Sequence, residues 1–515
     1  MNGSQSLIRS LVAAGVDICF MNPGTSEMHF VHALDDVPEM RGVLGLFEGV
    51  ATGAADGYAR VSGRPAAVLL HLGPGLGNGL ANLHNARRAH TPMVCIVGAH
   101  ATDHVRYDAP LQSDIEAVAR SVSGWVHTSG TSRDVADDAM RALEAANRGQ
   151  IATLVLPADV SWDEGGMLAY PRPVPPLPPV ADGALDGAAA ALQAGAATLM
   201  LLGGNALSEP GLRAASRIAA GTGARLLVET FPARLEEGAG LPAVERLGYI
   251  PEAAQYQLNT VETLVLAGAT APVSFFGYPG KVGDLVPPGC SMVRLADPDQ
   301  DVAGALERLA DRVAPGTQPV LAEAQQVDVP AADLDVNNLA MAVAATLPEN
   351  AVVVDEANTS GVALPAALAG APRHSLLTLT GGAIGQGLPV ATGAALAAPD
   401  RPVLSLQADG SAMYTIQALW TQVRERLDIT TVIFNNAAYA ILRLELVRTG
   451  AGAAGDRSAP MLDLSDPTTD FVALAQGMGM PAERVSTADG LADALRRAYG
   501  EPGPHLIEAV IPPII

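Results

Sequence analysis

The sequence predicts an α/β protein built from three open parallel-sheet domains. Three observations predict it. At 515 residues the chain is too long for one core and suggests about three domains of ordinary size. Its apolar runs are continuous rather than alternating and sit beside Ala-rich stretches, the pattern of parallel strands covered on both faces by helices. Aromatics make up only 4% of the chain while 53 residues are glycine, which favours close helix–strand packing over an all-β sandwich.

In the first block, residues 1–168, the runs AAVLL (66–70), MVCIVGA (93–99) and TLVLPA (153–158) read as buried strands. The segment YPRPVPPLPPVADG (170–183) is too rich in proline for a helix or a central strand and reads as an extended linker. The second block, 184–320, holds TLMLLGGNAL, RLLVETF, TLVLAGA and SMVRLAD as strand-centred units. A softer linker, LAEAQQVDVPAADLD (321–335), leads to the third block, 335–515, with AVVVDEAN, PVLSLQADG, ITTVIFNN and PHLIEAVI. No short internal repeat is visible, but the first and third blocks share a strand–glycine-turn–helix rhythm.

The formal charge of −23 argues against nucleic acid or an anionic membrane as partner. Lys281 is the only lysine, so an anionic ligand must be held by backbone dipoles and a metal rather than by a lysine cluster. No run of 18 apolar residues marks a membrane span, and the first twenty residues lack a signal-peptide pattern. Cys19, Cys95 and Cys290 are odd in number and far apart, the pattern of buried free thiols. A cytoplasmic protein is expected.

The most specific feature lies in the third block. PVLSLQ is a strand, Asp409-Gly410-Ser411 a turn at its C-terminal end, AMYTIQALWTQVRER an amphipathic helix, and ITTVIFNN the next strand. In a right-handed βαβ unit both strand ends emerge at one sheet edge. Asp409 and Asn436, 27 positions apart, are therefore expected side by side. A carboxylate, an amide oxygen and a backbone carbonyl suit an octahedral Mg²⁺ that keeps a water and takes phosphate oxygens. The helix start after Gly410 offers N–H groups to a phosphate, and Ser411 a hydroxyl. Taken singly, a DG turn and an NN strand end are ordinary structural devices; the pair at this spacing is what points to a site.

ADGSAMYTIQALW…FNNAAYAILR resembles the thiamine diphosphate motif, usually GDGS with NN further on. Over essentially the whole chain the sequence is similar to benzoylformate decarboxylases and to the catalytic subunits of acetolactate synthases. The resemblance implies the three-domain fold of thiamine diphosphate enzymes, with pyrimidine-binding, central and diphosphate-binding domains in that order. It also implies Mg²⁺ held by Asp409, Asn436 and the carbonyl of Ala438, and a diphosphate flanked by Gly410, Ser411 and Tyr439. Ala408 stands where the family has its first glycine, which puts the turn geometry in question. In LTGGAIGQGLPVATGAAL (379–396) the glycines allow close backbone approach to a flat ligand. The resemblance implies that Gly382 offers its carbonyl to the aminopyrimidine and that Ile384 props the bent cofactor. Asn358 and Thr359 match a diphosphate-contact position.

Thiamine diphosphate deprotonates itself only when a carboxyl group meets its pyrimidine N1′. Glu48, in GLFEGVATGAADGYARVSG, lies in the family's pattern for that group, although a glutamate opening a helix can also be no more than a favourable charge. Because Glu48 and Asp409 lie in different domains, the resemblance implies a homodimer or homotetramer with active sites between subunits.

On the substrate side, His71 in LLHLGPG matches the acid/base histidine of benzoylformate decarboxylases, and Thr25 in NPGTSE matches their carboxylate-binding serine. Gln112 in APLQSD resembles the acetolactate synthase glutamine instead. Phe276-Gly277 occupies the region of the decarboxylases' second histidine, and the adjacent histidine pair of pyruvate decarboxylases is not evident around His100 and His104. The expected substrate is a small 2-oxo acid. Gln112 and the segment after Tyr439 tip the reading slightly toward acetolactate synthase-like carboligation, with non-oxidative decarboxylation to an aldehyde as the alternative. The short middle block argues against FAD. A nicotinamide-type dinucleotide site at Gly73, Gly75, Gly77 and Gly79 is disfavoured by imperfect spacing and by the lack of an acidic ribose ligand. A non-catalytic protein on the same scaffold is disfavoured by the joint presence of Glu48, Asp409 and Asn436.

Overall fold

The computed structural model describes residues 1–513 apart from 172 and 196. Its first sheet contains β1 (Ile18–Asn22), β2 (Arg41–Leu44), β3 (Ala66–Leu70), β4 (Met93–Ala99), β5 (Trp125–Thr128) and β6 (Ile151–Pro157). They run parallel in the order β2-β1-β3-β4-β6-β5. Every residue of β3 is buried, as its unbroken apolar run requires of a strand covered on both faces.

The central block supplies β7 (Thr198–Leu202), β8 (Arg225–Val228), β9 (Leu235–Glu237), β10 (Thr263–Ala267) and β11 (Ser291–Ala296). Four of these form a parallel sheet in the order β11-β10-β7-β8. The third block adds β12 (Ala351–Glu356), β13 (His374–Thr378), β14 (Val403–Ala408), β15 (Ile429–Asn435), β16 (Ala482–Val485) and β17 (His505–Val510). Its sheet has seven strands, β16-β17-β15-β14-β12-β13-β9.

Two expectations need correction. Short β9 belongs by sequence to the central block but pairs antiparallel with β13, because Leu235 and Glu236 face Leu376 and Ser375 at the open edge of the third sheet. The third sheet is therefore parallel except at that edge. The helix expected over AMYTIQALWTQVRER is broken into Asp409–Ala412 and Ala418–Glu425. The break lets Thr415 Oγ1 donate to the Gly385 carbonyl at 2.8 Å.

The first and third domains are joined by two helices, Glu48–Ser62 and Gly387–Ala397. Their backbones cross so closely that a methyl group on Gly393 would lie 1.8 Å from the Ala54 carbonyl oxygen, and one on Gly57 2.1 Å from that of Val390. Beside the crossing, the buried guanidinium of Arg60 forks onto Asp56 at 2.9 and 2.5 Å and donates to the Thr378 carbonyl at 2.9 Å. The first domain thereby grips the strand end that leads into the glycine-rich loop of the third.

Cys19 and Cys95 are buried free thiols, and burial pushes both well above the usual thiol range. Cys290 is only partly buried, because it sits in a turn before β11 rather than in a strand. Among the described residues no helix is long and apolar enough to cross a membrane.

Candidate active site

β14 and β15 pair in parallel register, Ala408 opposite Phe434, so their C-terminal tips emerge together. One Asp409 carboxylate oxygen accepts from the Gly410 amide at 2.7 Å and the other from the Ala437 amide, also at 2.7 Å. The second bond requires Ala437 to adopt φ +53°, a left-handed conformation that an alanine holds only under local constraint. Asn436 turns its carbonyl oxygen to the Ala438 amide at 3.0 Å and its amide nitrogen to Ser360 Oγ at 3.3 Å. Asp409 and Asn436 are thus brought to one place, both nearly inaccessible to solvent. Each carboxylate oxygen carries a further lone pair beyond the one used here. Burial pushes the Asp409 carboxyl up, against the backbone amides that stabilise its charge.

Ala408 has φ −77° and ψ 146°, ordinary extended backbone, so the methyl group in place of the family glycine needs no special conformation. Gly410 is different: a side chain there would meet the Tyr439 ring at 2.6 Å. Asn358 (φ +50°) donates to Ser411 Oγ at 2.7 Å, which puts those two candidate diphosphate contacts side by side. Thr359 follows in a short 3-10 turn with no hydrogen bond that ties it to them. Tyr439 is anchored through its amide to Leu462 O at 3.1 Å, and Leu464 N bonds Ala437 O at 2.9 Å, so residues 462–464 lie over the strand tips.

The glycine-rich loop has a regular polarity. Gly382 takes φ +75°, and a side chain there would strike the Phe275 ring at 2.6 Å. Phe275 stacks edge-on against Phe276 and Phe231, with ring centroids 5.1 and 5.8 Å away. At the position matched to the decarboxylases' second histidine, the central domain instead presents an aromatic wall to this loop.

Glu48 is the first residue of the Glu48–Ser62 helix and is buried; Asn78 donates to its Oε2 at 3.0 Å. Gly75 leaves room for Glu48, since a methyl group there would lie 3.1 Å from Oε1. His71 precedes the Leu72–Arg88 helix, and Leu72 is held at φ +54°. Its Nδ1 lies 2.7 Å from Glu27 Oε2, and the same oxygen accepts from the Gly24 amide at 2.8 Å. Burial pushes the Glu27 carboxyl up, opposed by the Gly24 amide and His71, and Glu27 Oε1 is left without a partner. Thr25 is exposed at the start of a turn whose Gly24 abuts the His71 ring. Gln112 lines a cavity of about 500 Å³ together with Leu72, His100 and Ser113. His100 and His104, four positions apart in sequence, have ring centroids 5.4 Å apart.

Reading the sequence missed Glu27, although its signal was present: it stands three residues after Gly24 in NPGTSE, the spacing of a capping interaction. It also missed Glu356, a buried carboxylate at the end of β12, for which no local pattern stands out. Among the described residues no group of three His, Cys, Asp or Glu side chains converges, so a metal here would rely on the mixed carboxylate–amide–carbonyl set and on its ligand's phosphates.

Comparison with known proteins agrees with this geometry. Residues 1–119 match the N-terminal TPP-binding domain of thiamine pyrophosphate enzymes, and residues 361–509 the C-terminal TPP-binding domain. The chain is 61% identical, over the full length of both, to a protein of Mycobacterium tuberculosis named putative acetolactate synthase large subunit IlvX. It is 30% identical to a benzoylformate decarboxylase of Pseudomonas aeruginosa across 96% of each chain. The solved 4-hydroxybenzoylformate decarboxylase of Rhodococcus jostii superposes over 99% of both chains with TM-score 0.85 at 26% identity.

Proposed function

The chain belongs to the thiamine pyrophosphate enzymes, and from that premise we propose that it uses thiamine diphosphate with Mg²⁺ to make or break the carbon–carbon bond beside the carbonyl of a 2-oxo acid. The family fixes a thiamine diphosphate-dependent enzyme of the acetolactate synthase or 2-oxo acid decarboxylase type. The observation that carries the metal is that Asp409 and Asn436 stand at adjacent strand tips, Asp409 accepting from the Ala437 amide and Asn436 from the Ala438 amide. Asp409, Asn436 and the Ala438 carbonyl would hold Mg²⁺; Gly410, Ser411, Asn358, Thr359 and Tyr439 would face the diphosphate; Gly382 and Ile384 would face the pyrimidine. When bound, thiamine diphosphate supplies a nucleophilic carbon and an electron sink next to the substrate carbonyl.

This chain's residues supply protons and position. Glu48 presents a buried carboxyl at a helix start, in place to exchange a proton with the pyrimidine ring nitrogen. His71, held by Glu27, offers an imidazole nitrogen to the substrate carbonyl, and the contact with the buried Glu27 carboxyl fixes the ring's orientation. Thr25 faces the same turn and is suited to the substrate carboxylate.

The leading reading is acetolactate synthase-like carboligation in the cytoplasm, by a homodimer or homotetramer whose active sites lie between subunits. It is supported by the full-length likeness to the M. tuberculosis protein and by the cavity at Gln112, which leaves room for a second carbonyl compound. One observation favours decarboxylation to an aldehyde instead: the Glu27 contact orients the His71 imidazole, a group able to relay a proton to the reacting carbon. A panel of 2-oxo acids, with and without acceptor aldehydes, tests both in the presence of thiamine diphosphate and Mg²⁺. Acetolactate from pyruvate supports the first reading, and benzaldehyde from benzoylformate the second. Bound cofactor with no carbon dioxide released from any 2-oxo acid would overturn the proposal.

A further inference from the structure

Between Gly381 and Gly387 every second residue is tied to the protein by hydrogen bonds. His84 Nε2 lies 3.2 Å from the Gly381 carbonyl. Asn85 takes both polar groups of Ala383, accepting from its amide at 3.1 Å and donating to its carbonyl at 2.7 Å. The Gly385 carbonyl receives Thr415 Oγ1 at 2.8 Å and Asn82 Nδ2 at 3.2 Å. The amides of Gly385 and Gly387 donate to the two oxygens of one carboxylate, Glu356, at 2.6 and 2.5 Å. Among the described residues, none hydrogen-bonds the backbone of Gly382 or Ile384. The tied backbone groups of Gly381, Ala383, Gly385 and Gly387 therefore flank those of Gly382 and Ile384, which are left open to a ligand.

The two anchors come from different domains. Asn85 lies on the Leu72–Arg88 helix of the first domain, and Glu356 ends β12 of the third. Both side chains are fully enclosed, Asn85 at 0% and Glu356 at 2% exposure. Neither touches the strand-tip pair Asp409 and Asn436. A buried carboxylate spent on two glycine amides is costly unless the loop it orders matters, since each amide could otherwise bond to water. The anchoring also constrains sequence: a methyl group on Gly381 would lie 2.5 Å from Asn85 Oδ1.

We propose that Asn85 and Glu356 are positioning residues, a two-sided clamp that holds the loop so that the backbone groups of Gly382 and Ile384 face the cofactor's aminopyrimidine. The proposal rests on the thiamine diphosphate reading of the site. Glu356 has the two acceptor oxygens that two converging N–H donors require. Glutamine in its place brings a donor against a donor and opens one side of the clamp. Alanine at Asn85 opens the other.

The test measures thiamine diphosphate affinity in the presence of Mg²⁺ by calorimetry for wild type, Glu356→Gln, Asn85→Ala and the double variant, with hydrogen exchange of the cofactor-free proteins. Each single substitution is expected to weaken cofactor binding about tenfold or more, the loss of one charge-assisted or buried hydrogen-bond pair. Exchange should quicken over residues 379–390 while the amides of β14 and β15 keep wild-type protection. Because one open side already frees the loop, the double variant should bind only slightly more weakly than either single one. Wild-type affinity in folded single variants, or fully multiplicative losses in the double variant, would overturn the clamp. If Glu356→Gln fails to fold, Thr415→Val, which removes only a donor to Gly385, must show the same loss of affinity and faster loop exchange, or the proposal falls. If the wild type itself takes up no thiamine diphosphate, the reading of the site has failed rather than the clamp.

Discussion

If Glu48 plays the proposed role, one carboxylate separates cofactor binding from turnover. Glu48 is enclosed and bonded to Asn78, and it is not one of the groups that would grip the metal. Glu48→Gln is therefore expected to leave thiamine diphosphate affinity near wild type and to cut turnover by about a hundredfold or more, measured by calorimetry and by carbon dioxide release. Glu27 acts at one remove. Its replacement by glutamine keeps the contact with His71 but removes the charge, and kcat/KM should fall by about tenfold or more without loss of cofactor. Glu48 stood out as a candidate in the sequence because a long pattern surrounds it. Glu27 and Glu356 did not, because what singles them out is the partner each meets in space, a histidine just past the end of β3 and two amides of a distant loop. A further carboxylate, Glu229, follows β8 beside the Gly203–Gly204 turn, and burial pushes it up to about 7. Its folded value lies above the unfolded one, so the native state prefers the protonated acid. Its contribution to stability is fully present below the ordinary carboxylate range and is lost as pH rises through about 7. Glu229→Gln should remove that decline, raising the thermal midpoint above wild type at pH 8 and leaving it nearly unchanged near pH 5.

Elements were legible where a period and a turn signal coincide. The βαβ spacing from Asp409 to Asn436 predicted two adjacent strand tips, and β14 and β15 pair in register there. The intervening helix was misjudged because its break serves a contact outside it, from Thr415 to the Gly385 carbonyl, which no periodicity encodes. Strand β9 was missed as a member of the third sheet for a related reason: three residues are too few for alternation to show. The crossing of the Glu48–Ser62 and Gly387–Ala397 helices is likewise invisible in either helix alone, yet it decides which small residues are obligatory. Gly393→Ala drives a methyl group onto the Ala54 carbonyl, and the helices must separate. We expect a loss of about 1–3 kcal/mol in chemical denaturation. The neighbouring Arg60–Asp56 pair should loosen with it, which faster hydrogen exchange over residues 48–62 would report.

At the scale of the molecule the question is which subunit completes which site. The first domain's Glu48 and His71 and the third domain's Asp409 and Asn436 belong to separate sheets, and the chain's own contacts between those domains are occupied by the glycine-lined helix crossing and the Asn82–Asn85 anchors. That packing leaves Met413, Tyr414 and Leu442 of the third domain exposed near the strand tips, a surface suited to a partner's first domain. If active sites form between subunits, two inactive variants must rescue each other. A Glu48→Gln subunit keeps its metal ligands, and an Asp409→Ala subunit keeps its glutamate, so a hybrid dimer contains one site with both groups intact and one with neither. Random mixing makes half the dimers hybrid, and half their sites work, so mixed and reassociated subunits should recover about a quarter of wild-type turnover. Each variant alone should stay near zero. Sites contained within one chain predict no recovery at any mixing ratio, because no hybrid then unites Glu48 with Asp409.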